Sequence, residues 1–394
     1  METWSVHQLS TAAKSTLDES SVVHLKNYAQ SLKRSGLPVI FTLGHLSKII
    51  DIDYSFLRAT VERRREFANY RMFSIKKRSG GRRHIHSVTG GLLQAQQFIN
   101  SEILQKVEPH SASFAFHKKG GIRLCASMHC GARWIFQYDL ADFFYSVNEA
   151  NVYKIFSELG YRPLLAFEMA RICTTLRLPN HLGHLLIDPR TKEKEKFYNL
   201  YQRYMEVPGF GTKPYMSSMG VLPQGAPTSP MLSNLAARNL DVELTDYADQ
   251  HGLIYTRYAD DLTLSSNENF PKGLSIGEIH RSIVGIIRRN KFKENRKKTR
   301  VAGPGSKKLV LGLLVDGDSP RLSKETYKRI DRHLYSIQKY GIVSVSKHEK
   351  FDSPLGFYNH LSGLIAYVKD VDTNRWKEFH RRLLEISYPI EMNY

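Results

Sequence analysis

Cysteine is almost missing from this sequence: three residues, Cys125, Cys130 and Cys173, in a chain of 394. Three are too few for a disulfide framework, and their spacing matches no zinc site, so the chain suits a reducing cytoplasm. Missing too is any run of about 18 apolar residues, and the first residues lack the charged-then-apolar pattern of a secretory leader. The expectation is a soluble cytoplasmic protein with no membrane contact. No fixed-period repeat and no low-complexity tract occurs, which excludes solenoids and long disordered tails. Acidic residues are in short supply: 38 Asp and Glu face 57 Lys and Arg, a formal charge of +19. Such a surplus points to a polyanionic partner, nucleic acid before membrane, although a solvated basic surface would read the same. With 41% hydrophobic residues the chain has material for a sizeable core and for subdomains.

What is there changes character along the chain. Residues 1–35 look partly amphipathic and helical, and the helical pattern returns from Leu43 to Asn69, with Leu46, Ile49 and Ile50 on one face and Arg63, Arg64 and Arg65 further on. A hairpin follows: Met72–Ile75 as one strand, Ser79-Gly80-Gly81 as the turn, His84–His86 as the return strand. Lys76, Lys77, Arg78, Arg82 and Arg83 crowd its tip. Leu92–Lys106 reads as helix, Trp134–Leu140 as a short buried strand leading into an aromatic-rich helix, and the polar stretch Pro179–Ser217, with Lys192, Lys194 and Lys196 among glutamates, as a surface insertion. Helix resumes after Pro230, where Leu232, Leu235, Ala236 and Leu240 have helical spacing. Leu253–Tyr258 and Leu262–Leu264 read as strands around a tight turn, Ile279–Lys293 as a basic helix, and Leu309–Val315 as strands. From Ser323, a suitable N-cap, the chain turns helical, with Tyr327, Ile330, Leu334 and Ile337 on one face and Lys324, Lys328 and Arg332 on another. Strands and helices mix without βαβ regularity, so the fold class is α+β.

Two places carry chemistry. Tyr258-Ala259-Asp260-Asp261 puts adjacent carboxylates at a turn where Asn-Gly would be the usual choice. A broken local rule suggests a functional site, while an isolated acidic pair is more often an ordinary acidic turn. The second place is Tyr138-Asp139-Leu140-Ala141-Asp142-Phe143-Phe144, where Asp139 and Asp142 directly follow an apolar strand. A carboxylate at the end of a buried strand costs desolvation unless it is paired or binds a metal. If Asp139 meets Asp260 and Asp261 across a sheet, three carboxylates converge and repel one another. Two Mg²⁺ ions would neutralise them and clamp the attacking and leaving oxygens of an in-line phosphoryl transfer.

The order of Asp139 to Phe144, then Leu222-Pro223-Gln224-Gly225-Ala226-Pro227-Thr228-Ser229-Pro230, then Tyr258-Ala259-Asp260-Asp261 resembles the palm of reverse transcriptases. Within them it is most similar to bacterial retron-type and defence-associated enzymes, in unbroken order from about Leu43 to the end. The resemblance implies a right-hand polymerase: an N-terminal helical extension over 1–42, fingers and a palm with an antiparallel sheet over 43–318 with an insertion near 179–217, and a helical thumb over 319–394. It implies that Asp139 and Asp260 are the main ligands of two Mg²⁺ ions, with Asp261 supporting and the Leu140 carbonyl as an extra ligand. Phe144 would lie against the sugar C2′ and refuse a ribose hydroxyl, with Phe143 in the core. Asp142 and Gln224 would meet the incoming nucleotide. Lys76, Arg82 and Arg83, with Arg83 the better of the arginine pair, would hold the triphosphate. Lys298, in Asn295-Arg296-Lys297-Lys298-Thr299, would act as general acid to pyrophosphate, although a charge run also reads as a solvated face. Leu309–Asp316 resembles the primer-grip hairpin, and Trp376, Phe379 and Leu383 read as thumb core.

Two positions depart from the retron pattern. Cys125-Ala126-Ser127-Met128-His129 has Cys where the family's Asn-Ala-x-x-His has Asn, and Val310-Leu311-Gly312 stands for its Val-Thr-Gly. The expected activity is cDNA synthesis from dNTPs on a partner non-coding RNA, through an RNA–DNA hybrid, in antiviral defence, with an effector protein as a further partner. The rivals are template-independent or protein-primed DNA synthesis on the same site, and an RNA-binding scaffold with a vestigial site.

Overall fold

A computed structural model describes residues 5–76, 80–186, 219–268 and 274–388. The expected insertion beyond Leu186, and Lys77, Arg78 and Ser79 of the hairpin, lie outside the described residues. The N-terminal helices α1 (Val6–Ala13) and α2 (Glu19–Arg34) are capped by Ser5 and Asp18, whose side chains accept from the first free backbone amides. Ala29 and Leu32 of α2, with Leu37 and Ile40 just after it, are buried in the main core. The helical stretch expected from Leu43 is three short helices, α3 (Leu43–Ile49), α4 (Tyr54–Val61) and α5 (Glu66–Asn69). The breaks fall where Asp51 and Arg63 take φ of 52° and 63°, which ends a right-handed helix.

The fingers hairpin pairs β1 (Tyr70–Lys76) with β2 (Arg82–Val88). Gly80 and Gly81 hold φ of 86° and 75°, the left-handed turn geometry expected of the glycines there. Then come α6 (Gly90–Phe98), continued by one π turn and one 3₁₀ turn to Lys106, and α7 (Ile122–Ser127). The palm sheet is antiparallel, in the order β4 (Ile254–Tyr258), β5 (Asp261–Ser266), β3 (Trp134–Asp139), β6 (Arg300–Ala302). Alternation along β3 sends Phe136 and Tyr138 into the main core and Ile135 into a second core built with the thumb. With both faces covered, β3 is a rigid base for the carboxylate at its end.

The aromatic-rich helix expected directly after β3 does not start there but at Glu149. Asp142 takes φ of 51°, and residues 141–146 form turns. Two of the segment's amides go elsewhere: Leu140 N–H donates to Asp260 O (2.9 Å) and Ala141 N–H to Lys293 O (2.7 Å). Beyond it lie α8 (Glu149–Glu158), α9 (Pro163–Cys173), α10 (Ser229–Ala236), α11 (Arg238–Gln250) and α12 (Ile276–Arg289). The basic helix α12 stops before Lys293 because Lys291 turns left-handed (φ 65°) and Phe292 is buried. A small hairpin, β7 (Leu309–Val310) with β8 (Leu313–Leu314), precedes the thumb helices α13 (Lys324–His348), α14 (Pro354–Lys369) and α15 (Thr373–Leu384). Ser323 caps α13, and Ile330, Leu334 and Ile337 are buried as the periodicity predicts. Phe379 and Leu383 are core, with Trp376 packed against it.

Candidate active site

The site grows from the pairing register. β3 and β5 run antiparallel with Asp139 opposite Asp261, and directly opposed residues project to the same face. β4 and β5 pair Tyr258 with Asp261, leaving Ala259 and Asp260 as a two-residue turn. Ala259 adopts φ of 57°, a region where glycine is the ordinary choice. The strained turn is held from two sides. Leu140 N–H bonds the Asp260 carbonyl (2.9 Å), and the buried Arg257 guanidinium reaches the Ala259 carbonyl (3.2 Å) while forking onto Asp241 at 2.6 and 2.7 Å and onto Asn234 at 2.9 Å.

A further clasp closes the hairpin's far end. The His129 ring is buried, with Nδ1 2.7 Å from Ser265 Oγ on β5 and Nε2 2.7 Å from Thr256 Oγ1 on β4. Cys125, the departure from the retron pattern, keeps a polar contact through Sγ to the same Thr256 hydroxyl (3.3 Å). Burial pulls the His129 pKa down to about 4, so the ring is neutral at pH 7.

The carboxylates differ in surroundings. Asp139 is buried; its Oδ1 accepts from Asn295 Nδ2 (2.8 Å) and its Oδ2 from Lys298 Nζ. Asp260 is pushed above the usual carboxylate range by burial and then by Asp139. Asp261 opens to solvent on one side, yet burial first, then Asp260 and Asp139, push its carboxyl up to about 6. For Lys298, burial opposes the charge, but the bond to Asp139 and the three aspartates outweigh it and hold the ammonium above its ordinary value.

A cavity of about 470 Å³ opens beside these groups. Of the residues singled out in the sequence, Asp139, Leu140, Asp142, Phe144, Gln224, Asp260, Lys298 and Arg83 line it. Asp261 lines an adjoining 300 Å³ hollow with Asp139, Lys298 and the β7–β8 turn residues Leu311 and Gly312. Lys76 and Arg82 are not brought in. They face each other across the ribbon, next to the Ile75–Arg83 pair, and side-chain alternation sends the two pairs to opposite faces. Arg82 instead bonds Ser74 Oγ (3.2 Å). Phe144 is half-buried beside Phe116 (centroids 6.1 Å), whereas Phe143 is core against Phe292. Gln224 is pinned by its carbonyl, which accepts from His86 N–H (2.8 Å); a Cβ on the next residue, Gly225 (φ 112°), would lie 2.7 Å from His86 O.

Sequence reasoning missed Asn295, Phe116, His86 and Arg257 as parts of this assembly. Asn295 opens the Asn295–Thr299 run, where the basic residues are the conspicuous feature and Lys298 stands out instead. Phe116 and His86 act across long sequence separations with no local signal, and Arg257, two residues before Ala259, is held there by Asp241 and Asn234 from earlier in the chain.

The donor set suits a hard divalent cation. Asp260 and Asp261 are carboxylates whose charge is disfavoured by burial and mutual repulsion, which a cation relieves. Among the described residues no three His, Cys, Asp or Glu side chains already converge on one point, and Lys298 and Asn295 occupy the two Asp139 oxygens.

An antiparallel palm sheet with carboxylates at one end of its central strands, a basic ribbon above and a helical bundle behind define a right-hand polymerase. The chain belongs to the reverse transcriptase (RNA-dependent DNA polymerase) family, whose profile matches residues 75–315. It is a retron-type RNA-directed DNA polymerase. It is 29% identical to the retron Ec86 reverse transcriptase of Escherichia coli, over 92% of this chain and 93% of that one. The retron Mx65 reverse transcriptase of Myxococcus xanthus is 29% identical over 97% of this chain and 80% of its own length. The retron Mx162 enzyme of the same organism is 26% identical over 94% and 71% respectively. Enzymes of this family use divalent metal ions. Among the described residues no helix is long and apolar enough to cross a membrane.

Proposed function

We propose that this chain copies a partner non-coding RNA into DNA with two Mg²⁺ ions, as part of a bacterial antiviral system. The observation that carries the chemistry is the Asp139–Asp261 register with Asp260 at the adjoining tip, on a cavity shared with Arg83, Gln224, Phe144 and Lys298. Asp139, Asp260 and the Leu140 carbonyl, with Asp261 in support, would hold the ions, which when bound supply electrostatic stabilisation to the attacking and leaving oxygens. Arg83 binds the triphosphate, Gln224 contacts the nascent pair, and Asp142 lies beside the incoming nucleotide. Phe144 closes the space at C2′. Lys298 carries the proton for the leaving pyrophosphate. Lys76 and Arg82, on the outer face of the ribbon, meet template or tail phosphates only when the ribbon moves.

The test is primer extension on an RNA template with Mg²⁺. Asp260→Asn, and equally Asp139→Asn, is expected to abolish extension while RNA affinity and melting temperature stay near wild type; appreciable extension by either would sink the assignment. Omitting the template separates the rival of template-independent synthesis. For the partner RNA and the defence role, the chain is expressed with its native locus. Copurifying DNA shortened on a denaturing gel by both DNase and RNase supports a branched hybrid, and unchanged mobility after RNase means a free product. Phage plating that is equal on strains carrying wild type and Asp260→Asn would remove the defence role.

A further inference from the structure

A second hollow, of about 660 Å³, opens beside the catalytic cavity and has Ala141 and Asn295 in common with it. Its rim is basic: Arg288 at the end of α12, and Lys293, Arg296 and Lys297 on the segment that follows. All four are exposed, and among the described residues none has a carboxylate partner, whereas the neighbouring Arg289 is paired with Glu243. The one acidic side chain on the rim, Glu294, is buried and accepts from the Thr299 hydroxyl.

Local backbone bonding explains the arrangement. Asn295 N–H bonds Asp139 O (2.8 Å) and Lys293 O accepts from Ala141 N–H, so the segment lies along the end of β3. A turn closed by Lys298 N–H to Asn295 O (2.9 Å) then brings Lys298 back to Asp139 and leaves Arg296 and Lys297 on the rim of the second hollow. One short stretch of chain thus serves the metal site with Asn295 and Lys298 and gathers uncompensated cations beside it. Four like charges around a concavity repel one another, and a compact polyanion removes that cost. An extended nucleic-acid strand is better matched by the ridge of Lys324, Lys328 and Arg332 on α13 than by a short open hollow.

We propose that this hollow is an auxiliary site for a linear oligophosphate: the tail of a deoxynucleoside triphosphate before it reaches the catalytic cavity, or the pyrophosphate after it leaves. The proposal rests on the polymerase reading, and wild-type extension on an RNA template checks that reading separately. The probe variant is Arg296→Gln/Lys297→Gln in the full chain; Lys26→Gln/Lys48→Gln removes the same charge from the N-terminal helices as a control. At low salt the probe variant is expected to raise the dNTP KM, or the pyrophosphate inhibition constant, about fivefold, a factor typical of exposed charges, with kcat and template–primer Kd unchanged. High salt should shrink the effect. A change in KM alone assigns the hollow to the arriving triphosphate, and a change in pyrophosphate inhibition alone to the product. If neither differs from the control, or if template–primer Kd weakens by the same factor, the proposal is overturned, the second result making the rim a nucleic-acid surface. Calorimetric binding of inorganic tripolyphosphate to the Asp260→Asn chain, with and without the two substitutions, reads the site without turnover; equal affinities would likewise overturn it.

Discussion

Asp142 and Ala259 hold φ angles of 51° and 57°, a region that non-glycine residues enter at a cost of about 1 kcal/mol or more. Both flank the carboxylates, and the bonds from Leu140 and Arg257 keep the second of them in place. Single side chains in this setting have separable duties. Phe144→Ala opens space on the cavity wall and removes one ring packed on Phe143 (centroids 5.7 Å), which keeps its other aromatic contact with Phe292. Discrimination between dNTPs and rNTPs is expected to fall by roughly 10- to 200-fold, the range for a small steric contact, rather than vanish. Parallel incorporation assays on wild type and variant check it, and unchanged discrimination would mean that the gate lies elsewhere. Asp261 gives a pH prediction. Its folded-state pKa of about 6 lies above the ordinary 3.8, so between those values the metal-free folded chain holds a proton that the unfolded chain has lost. This carboxyl therefore costs the metal-free protein stability as pH rises through that window. A cation binds the ionised form, so Mg²⁺ should raise the melting temperature more at about pH 8 than at about pH 5. Equal shifts at both would take Asp261 out of the ligand set.

At the scale of the element, the β4–β5 hairpin is a catalytic tip fixed to a braced stem. His129 spans both strands, so His129→Ala leaves the buried Ser265 hydroxyl unpaired, Thr256 with only its Cys125 contact, and a void, a loss of about 2–4 kcal/mol. The ring also titrates. Its folded pKa of about 4 is below the unfolded 6.5, so the stability it contributes is complete above 6.5 and is lost as pH falls towards 4, by about 3 kcal/mol in all. Denaturant unfolding across that window should show a shallower acid loss for His129→Gln than for wild type, and identical slopes would mean that the ring is not held neutral by burial. The sequence reveals this element unevenly. The strands and their tight turn are local patterns and are legible. The aromatic-rich helix expected straight after Leu140 begins only at Glu149, because the amides of Leu140 and Ala141 bond the carbonyls of Asp260 and Lys293, which lie far along the chain. Lys76 and Arg82 miss the cavity for a related reason: which side of a ribbon faces inward is fixed by pairing and by the Gln224–His86 bond, and neither is written in a run of basic residues.

For the whole molecule, the net charge of +19 is gathered on surfaces that fit the fold. Along α13, Lys324, Lys328, Arg332, Tyr335 and Lys339 are all exposed and lie within one face at 100° per residue, above a core that the thumb shares with Ile135 and Val310. Lys328→Gln/Arg332→Gln is expected to weaken nucleic-acid binding alike for all sequences. It should reduce the slope of log affinity against log salt by about 0.9 for each duplex phosphate that is no longer neutralised. Titrations at several salt concentrations measure it, and a sequence-dependent loss with an unchanged slope would assign the stripe to base recognition instead.

The fingers ribbon behaves mechanically as a cantilever. It has two strands and no third among the described residues, and it is clamped where His86 N–H meets Gln224 O, where the His86 ring meets Arg177 O (2.7 Å) and where Tyr145 donates to His84 O (3.3 Å). From His86 to Arg82 the free arm is about 13 Å at strand rise. The deflection of a clamped beam under load grows with the cube of its length, so movement concentrates at the Lys76–Arg82 end and carries Arg83, the next residue in on β2, with it. A side chain added at Gly225 would press on the clamp and would be felt most at the far end, as a loss of reach over the substrate's phosphates.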